Sequence, residues 1–268
     1  MKLTDEQLAQ YQRDGFLVFP NLLNEAEVAV LQSDVPVLQS AKRGHADANV
    51  MTDSGGVRSS YSPGLDSQAF DAVLRLPRIL NPVRQLLDGE VYLYQSRLNA
   101  KPKADPGATW QWHQDFGVWH RDDEMPEPRA MNIALFLEDV TEFNGALMFI
   151  PRSHKRGVIK AGHDLKTTSY PLWTIDNDTI ARLVDEGGII SPKGTAGSVI
   201  MFNSNLVHGS PSNMSPFNRT IVYLSLCHVE NHIRRYKRAE WIAHRNFTPI
   251  ESLPEDCLRE LARDAAAE

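Results

Sequence analysis

Apolar positions recur at helical spacing in residues 24–39 and 67–87, and this period predicts mostly helical structure from Thr4 to about Leu87. Thr4 and Gln7 stand in capping-box register, which marks the start of the first helix. A short strand, "FLVFP", and a polar loop from Arg43 to Pro63 containing Gly55-Gly56 interrupt the helical pattern. From Val91 onward the period shifts toward two. The runs "VYLYQSRLNAK", "AMNIALFLEDV", "ALMFIP", "GSVIMF" and "RTIVYLSLCHV" are β-branched or aromatic and bounded by Gly, Pro, Asn and Asp, so each predicts a strand. Asn144-Gly145, between two of these runs, predicts a tight hairpin because both residues tolerate positive φ.

Helices first and antiparallel strands after predict a mainly β fold with flanking helices, a sandwich or barrel with helices packed outside. One domain spanning 1–268 is expected. Residues 1–90 form the mostly helical support, 91–230 the β core, and 231–268 a C-terminal extension. Residues 155–195, with a helical pattern at 176–187, read as an insertion folding over a barrel mouth.

Composition narrows the partners. With 42% hydrophobic and 23% charged residues and a formal net charge of -6, the chain looks like an ordinary globular protein without a nucleic-acid footprint. Its one basic cluster, Arg234-Arg235-Tyr236-Lys237-Arg238, reads as a solvated helix start or loop. Cys227 lies inside an apolar run, where a buried inert thiol is expected rather than half of a bridge. No run approaches the ~18 apolar residues of a membrane span, and the first residues read as a capped helix rather than an apolar leader. The expectation is a soluble, cytoplasmic protein acting on a small molecule, with no membrane partner.

The stretch from Trp110 to His120, "WQWHQDFGVWH", holds three tryptophans, two histidines and an aspartate. If residues 110–116 are extended, His113 and Asp115 point to one face and form half of a metal site. His208 is the best third ligand, because it follows "GSVIMF" and a short Asn-rich link near a strand end. Two histidines and a carboxylate on one face suit non-haem Fe(II) and oxygen. The same set with a water suits a catalytic zinc.

Arg219 opens the strand "TIVYLSL", where an inward guanidinium needs an anion. A dicarboxylate cosubstrate supplies one through a bidentate pair, and a structural salt bridge is the plainer alternative. His154 reads as a loop stabiliser. Arg58, Arg97, Lys101 and Arg129 read by default as solvated surface cations. Of these, Arg58 is the preferred grip for a substrate carboxylate, since "SGGVRSSYSP" is where a lid is expected.

Nearly the whole chain resembles one family. From "YQRDGFLVFPNLL" through "YQSRLNAK", "WHQDFGVWHRDDEMP", "NGALMFIPRSH" and "AGSVIMFNSNLVHGSPSNMSP" to Arg219, it is similar to the phytanoyl-CoA dioxygenase superfamily of Fe(II)/2-oxoglutarate oxygenases. The similar branch contains ectoine hydroxylase and the free-proline 4-hydroxylases. The resemblance implies a double-stranded β-helix, or jelly roll, and iron ligands His113, Asp115 and His208. It implies 2-oxoglutarate on Arg219 with help from Asn99 and the Trp110 backbone region, and Gln95 and Trp119 facing the substrate. Fe(II), 2-oxoglutarate and O2 are the implied cofactors.

The chain departs from the ectoine hydroxylase pattern at Trp110, Gln114, Gly117-Val118, Asp122 and Glu124. Ile221 stands where many relatives carry a hydroxyl residue. The retained Asp115 favours hydroxylation over halogenation. The expected activity is hydroxylation of an unactivated C–H bond in a free amino acid or a cyclic, proline- or ectoine-like derivative. The alternatives are an oxygenase of the same type acting on an acyl-CoA or natural product, a zinc hydrolase, and a non-catalytic jelly-roll binding module.

Overall fold

The computed structural model describes residues 1–40, 50–53, 56–104, 109–167 and 171–267, without the side chains of 50–58 and 264–267. Helix α1 (Asp5–Asp14) starts on the expected capping box. Gln7 N–H donates to the Thr4 hydroxyl at 3.2 Å, and Thr4 N–H to the Gln7 side chain at 3.0 Å. Gly15, at φ 87, ends the helix and turns the chain into β1 (Phe16–Phe19). Helix α2 (Glu25–Leu38) follows, capped by Asn24. After β2 (Val50–Asp53) and β3 (Gly56–Tyr61) come α3 (Gln68–Leu74) and α4 (Pro77–Leu87).

The remaining strands are β4 (Val91–Lys101), β5 (Trp110–His113), β6 (Ala130–Phe136), β7 (Met148–Phe149), β8 (Gly162–Asp164), β9 (Leu172–Thr174), β10 (Val199–Asn203), β11 (His208–Ser210) and β12 (Arg219–His228). Helices α5 (Asp115–Asp123), α6 (Asn177–Gly187) and α7 (Cys257–Ala267) lie among and after these strands.

The main sheet runs β1-β10-β6-β12-β4-β3-β2, and β5-β11-β7 make a smaller sheet, with antiparallel pairing throughout. Alternation along β12 decides what each face meets. Val222, Leu224 and Leu226 join the cluster formed with α1 to α4 and α7. Ile221 and Tyr223 turn the other way, into a cluster with Phe149 of β7 and Phe202 of β10. The small sheet therefore closes the inner face of the large one, and the helices cover its outer face. Buried Glu27 ties α2 to its neighbours through Arg78 at 2.9 Å and Arg259 at 3.2 Å.

Three expectations are corrected. The polar 43–63 segment is not wholly loop, because β2 and β3 lie in it and β3 pairs with β4. Its inward residue Ser59 hydrogen-bonds Asn99 at 2.7 Å, so a strand that is polar toward the interior hid the usual apolar alternation. Asn144-Gly145 forms no hairpin, because β6 belongs to the large sheet and β7 to the small one. Only Gly145 has positive φ, and the Asn144 side chain instead bonds Thr141 N–H and the Asp139 and Asn218 carbonyls.

The basic cluster is not freely solvated either. Arg238 pairs with fully buried Asp123, and Tyr94 donates to the same carboxylate. The 155–195 segment does carry a helix, α6, and it is tied to β5 and α5 by Ile175 N–H on Trp112 O and Arg121 on Ile159 O. No helix among the described residues is long and apolar enough to cross a membrane.

Candidate active site

Strand β5 ends at His113, Gln114 is extended at φ -117 and ψ 126, and Asp115 is the first residue of α5. Extension through residue 116 is thus corrected, since the strand gives way to a helix inside the motif. The two side chains meet because a turn of direction brings the helix start against the strand end. Gln114 locks this junction. Its amide donates to Gly157 O at 2.9 Å and Asn205 O at 2.7 Å and accepts from Ile159 N–H at 2.8 Å.

His208 on β11 lies directly opposite His113 on β5. The Nε2 atoms of His113 and His208 stand 3.6 Å from Oδ1 and Oδ2 of Asp115, respectively, and all three side chains are buried. One ligand atom from each lies within 4.8 Å of the others, a set that could hold a metal ion. Nδ1 of His113 faces Gln111 O at 2.6 Å and Nδ1 of His208 faces Leu206 O at 3.0 Å. A carbonyl only accepts, so each Nδ1 carries the proton and each Nε2 keeps a lone pair for a metal.

Charge states agree with that role. Burial pushes His208 down to about 4, with the His113 ring beside it acting in the same sense, so it is a neutral imidazole at pH 7. Burial works to raise Asp115, but His208, His113 and the Arg97 guanidinium together hold it well below the usual carboxylate range. Asn132 of β6 donates to Asp115 Oδ2 at 2.8 Å and in turn accepts from Ser225 of β12. This second contact orients the carboxylate from the sheet behind it.

Arg219 and Lys101 are opposite each other across β12 and β4, both nearly inaccessible. Lys101 Nζ donates to Ser210 Oγ at 2.7 Å and to Pro211 O. Arg219 donates from Nη2 to the Tyr223 hydroxyl at 3.3 Å, while its Nε and Nη1 find no hydrogen-bond partner among the described residues. Unmet donors on a buried cation are costly, and a carboxylate is the group whose geometry satisfies them. The salt-bridge alternative for Arg219 finds no carboxylate among its described contacts.

The surface reading of Arg97 and Lys101 is corrected, since both are buried on the inward row Gln95, Arg97, Asn99, Lys101 of β4. Arg129 is partly exposed beside Glu230, as expected of a surface cation. Asn99 is held by Ser59, and Trp110 lies opposite Ser210. Gln95 donates to Ile242 O at 2.7 Å. Trp119 packs against Tyr94 with ring centroids 4.7 Å apart in a buried aromatic cluster. The side chain of Arg58 lies outside the described residues. A cavity of about 860 Å³ lined by residues including Leu65, Arg75, Trp241 and Ile250 contains none of the three clustered ligands.

Residues 11–221 match the phytanoyl-CoA dioxygenase (PhyH) family. The chain is 36% identical to ectoine dioxygenase of Bordetella parapertussis over 270 residues, covering 94% of this chain and 87% of that protein. It is 30% identical to L-proline trans-4-hydroxylase of Streptomyces griseoviridis, covering 93% and 96% respectively. The crystal structure of EctD from S. alaskensis with 2-oxoglutarate and 5-hydroxyectoine superimposes with a TM-score of 0.82 at 32% identity, covering 94% of this chain and 87% of that one. The same protein has been solved with bound Fe.

Proposed function

This chain belongs to the phytanoyl-CoA dioxygenase family, and from that premise we propose that it is an Fe(II)- and 2-oxoglutarate-dependent dioxygenase that hydroxylates a free amino acid or a cyclic amino-acid derivative. The observation that carries this reading is the pairing of three converging ligands, both ring protons already spent on carbonyls, with a buried arginine whose donors are unmet. The two facing antiparallel sheets are read as a jelly-roll, double-stranded β-helix core. Two free cysteines accord with a reducing, cytoplasmic setting.

His113, Asp115 and His208 would hold the iron, each through an atom whose partner contacts already fix its direction. When bound there with 2-oxoglutarate, iron would supply the oxidation, in which substrate, O2 and 2-oxoglutarate give hydroxylated substrate, succinate and carbon dioxide. The chain does the rest. Arg219, with Lys101 beside it, binds the far carboxylate of 2-oxoglutarate, and Asn99 and the Trp110 region flank that cosubstrate. Asn132 keeps Asp115 aimed, and the sheets exclude water. Gln95 and Trp119 are assigned to the substrate wall. Arg58 stays a substrate candidate on its sequence position alone.

The relatives' names support the substrate class proposed, since ectoine and proline are both small cyclic carboxylates. The test is a mass-spectrometric screen of amino acids and ectoine with enzyme, Fe(II), ascorbate and 2-oxoglutarate. A product heavier by one oxygen, formed with succinate, is the expected result. Activity only on acyl-CoA substrates would refute the amino-acid assignment.

A further inference from the structure

Gln114 lies in the chain between two of the converging ligands, yet its side-chain bonds run to other segments. It is 3% exposed, and a buried primary amide needs acceptors for both N–H groups and a donor for its oxygen. All three are backbone atoms here. Nε2 donates to Gly157 O at 2.9 Å and Asn205 O at 2.7 Å, and Oε1 accepts from Ile159 N–H at 2.8 Å. Carbonyls only accept and an N–H only donates, so these partners fix the orientation of the amide. No other side chain of this length offers two donors and an acceptor in one plane.

One arm of the amide leads to the third ligand. Residues 204–207 join β10 to β11, and Gln114 holds the Asn205 carbonyl near the start of that link. The next carbonyl, Leu206 O, is the one that faces His208 Nδ1 at 3.0 Å. Successive peptide planes are rigid and joined only at Cα, so pinning the first restricts the swing of the second. The end of the link is pinned as well, by Val207 N–H on Ser153 Oγ at 2.9 Å and Ile150 N–H on Val207 O at 3.0 Å.

The other arm holds Gly157 and Ile159, at the start of the 155–195 segment. Arg121 of α5 ties the same place independently. Its Nη1 donates to Gly117 O at 2.7 Å and its Nη2 to Ile159 O at 2.8 Å, with the guanidinium 5.3 Å from the Trp173 ring centroid. Gly117 leaves room for this fold-back, since a Cβ there would stand 2.8 Å from Nη1. Both side chains therefore grip Ile159, and Gln114 also grips the link that carries His208.

We propose that Gln114 is the positioning residue for His208, and that its amide couples the order of residues 157–159 to occupancy of the metal site. The proposal rests on the metal reading of the three ligands. Such coupling is reciprocal, so a metal that steadies His208 also steadies the bond from Ile159 N–H to the same amide.

The test uses Co(II) on the full chain, because its visible absorption bands report the geometry of its ligands. Gln114→Met removes both donors and the acceptor. Gln114→Glu keeps the length and the acceptor for Ile159 N–H, but sets a carboxylate against two carbonyls. In both variants the bond from Phe116 N–H to Ser204 O at 2.8 Å still joins the junction to the link. Each is expected to bind Co(II) roughly tenfold or more weakly than wild type, with altered bands. In the wild-type protein Co(II) should slow hydrogen exchange across residues 156–161, and in Gln114→Met it should not. Arg121→Met frees Ile159 O, leaves the Gln114 amide in place and should keep wild-type Co(II) affinity.

Wild-type Co(II) affinity and bands in both Gln114 variants, even with a lowered Tm, make Gln114 a structural residue and overturn the proposal. An equal loss of affinity in Arg121→Met also overturns it, by assigning the effect to the whole 155–195 segment. Metal-dependent protection that persists in Gln114→Met overturns the coupling. A wild-type chain that binds no Co(II) contradicts the metal reading itself.

Discussion

His208 stands directly opposite His113 in the β5–β11 pair, with ring centroids 4.2 Å apart. Two histidines 95 positions apart in the chain thereby share one carboxylate from the start of α5. The account of the site depends on that closure, and its neighbours can be tested separately.

Asn132 should govern metal affinity without touching the metal. Asn132→Ala removes the donor that orients Asp115 Oδ2 and leaves Ser225 without its acceptor. Loss of an outer contact of this kind costs about 10–100-fold in metal affinity. Competition titration with a chelator should show that drop, and an unchanged affinity would mean that α5 alone fixes the carboxylate.

Arg219→Met should separate stability from function. The variant removes a buried cation with two unmet donors facing Lys101, and keeps a comparable apolar volume. Replacing poorly satisfied buried charge by apolar volume is often neutral or stabilising. The ligand-free protein should therefore melt no lower than wild type while 2-oxoglutarate binding falls by about 2–5 kcal/mol. A lower Tm with intact 2-oxoglutarate binding would make Arg219 a structural residue.

The inward row of β4 shows what the sequence does and does not reveal. Period two correctly groups Gln95, Arg97, Asn99 and Lys101 on one face, but alternation does not say which face is interior. A polar row is ordinarily the solvated one, so Arg97 and Lys101 read as surface cations and are instead buried. On β12 both faces are apolar over Ile221–Leu224, so the run reads as a strand buried on both sides whichever face is interior, as it is. His113 and Asp115 were legible from their spacing, though the helix that begins at Asp115 was not, since "DFGVWH" carries a glycine and β-branched and aromatic residues of modest helix propensity. The Asn144-Gly145 turn misled for a nonlocal reason, since the strands on either side pair into different sheets, while the asparagine side chain bonds the nearby Thr141 N–H and Asp139 carbonyl as well as the Asn218 carbonyl.

Gly197 should tolerate no side chain. It sits at φ 87, and an added Cβ would collide with the Leu23 carbonyl and crowd the Val28 side chain of α2. Gly197→Ala combines left-handed strain with backbone overlap, at a cost of about 1–3 kcal/mol. Thermal denaturation should show the lower Tm, while iron and 2-oxoglutarate affinities of the folded protein stay at wild-type values. An unchanged Tm would contradict the close approach of the two loops.

Cys227 should be inert in the native state. It is inaccessible, and burial pushes its thiol up to about 12. Maleimide labelling at neutral pH should modify partly exposed Cys257 first and reach Cys227 only in denaturant. Equal labelling rates in the native protein would show that the inner face opens freely.

The central claim is that the three ligands and Arg219 serve oxygen-dependent hydroxylation, and isotopic oxygen tests it most directly. Turnover of the responding amino acid under labelled O2 in ordinary water should place one labelled atom in the product and one in succinate. The same reaction should fail in His113→Ala, Asp115→Ala and His208→Ala. Product oxygen drawn from water without 2-oxoglutarate consumption, or full turnover in His208→Ala, would contradict the account.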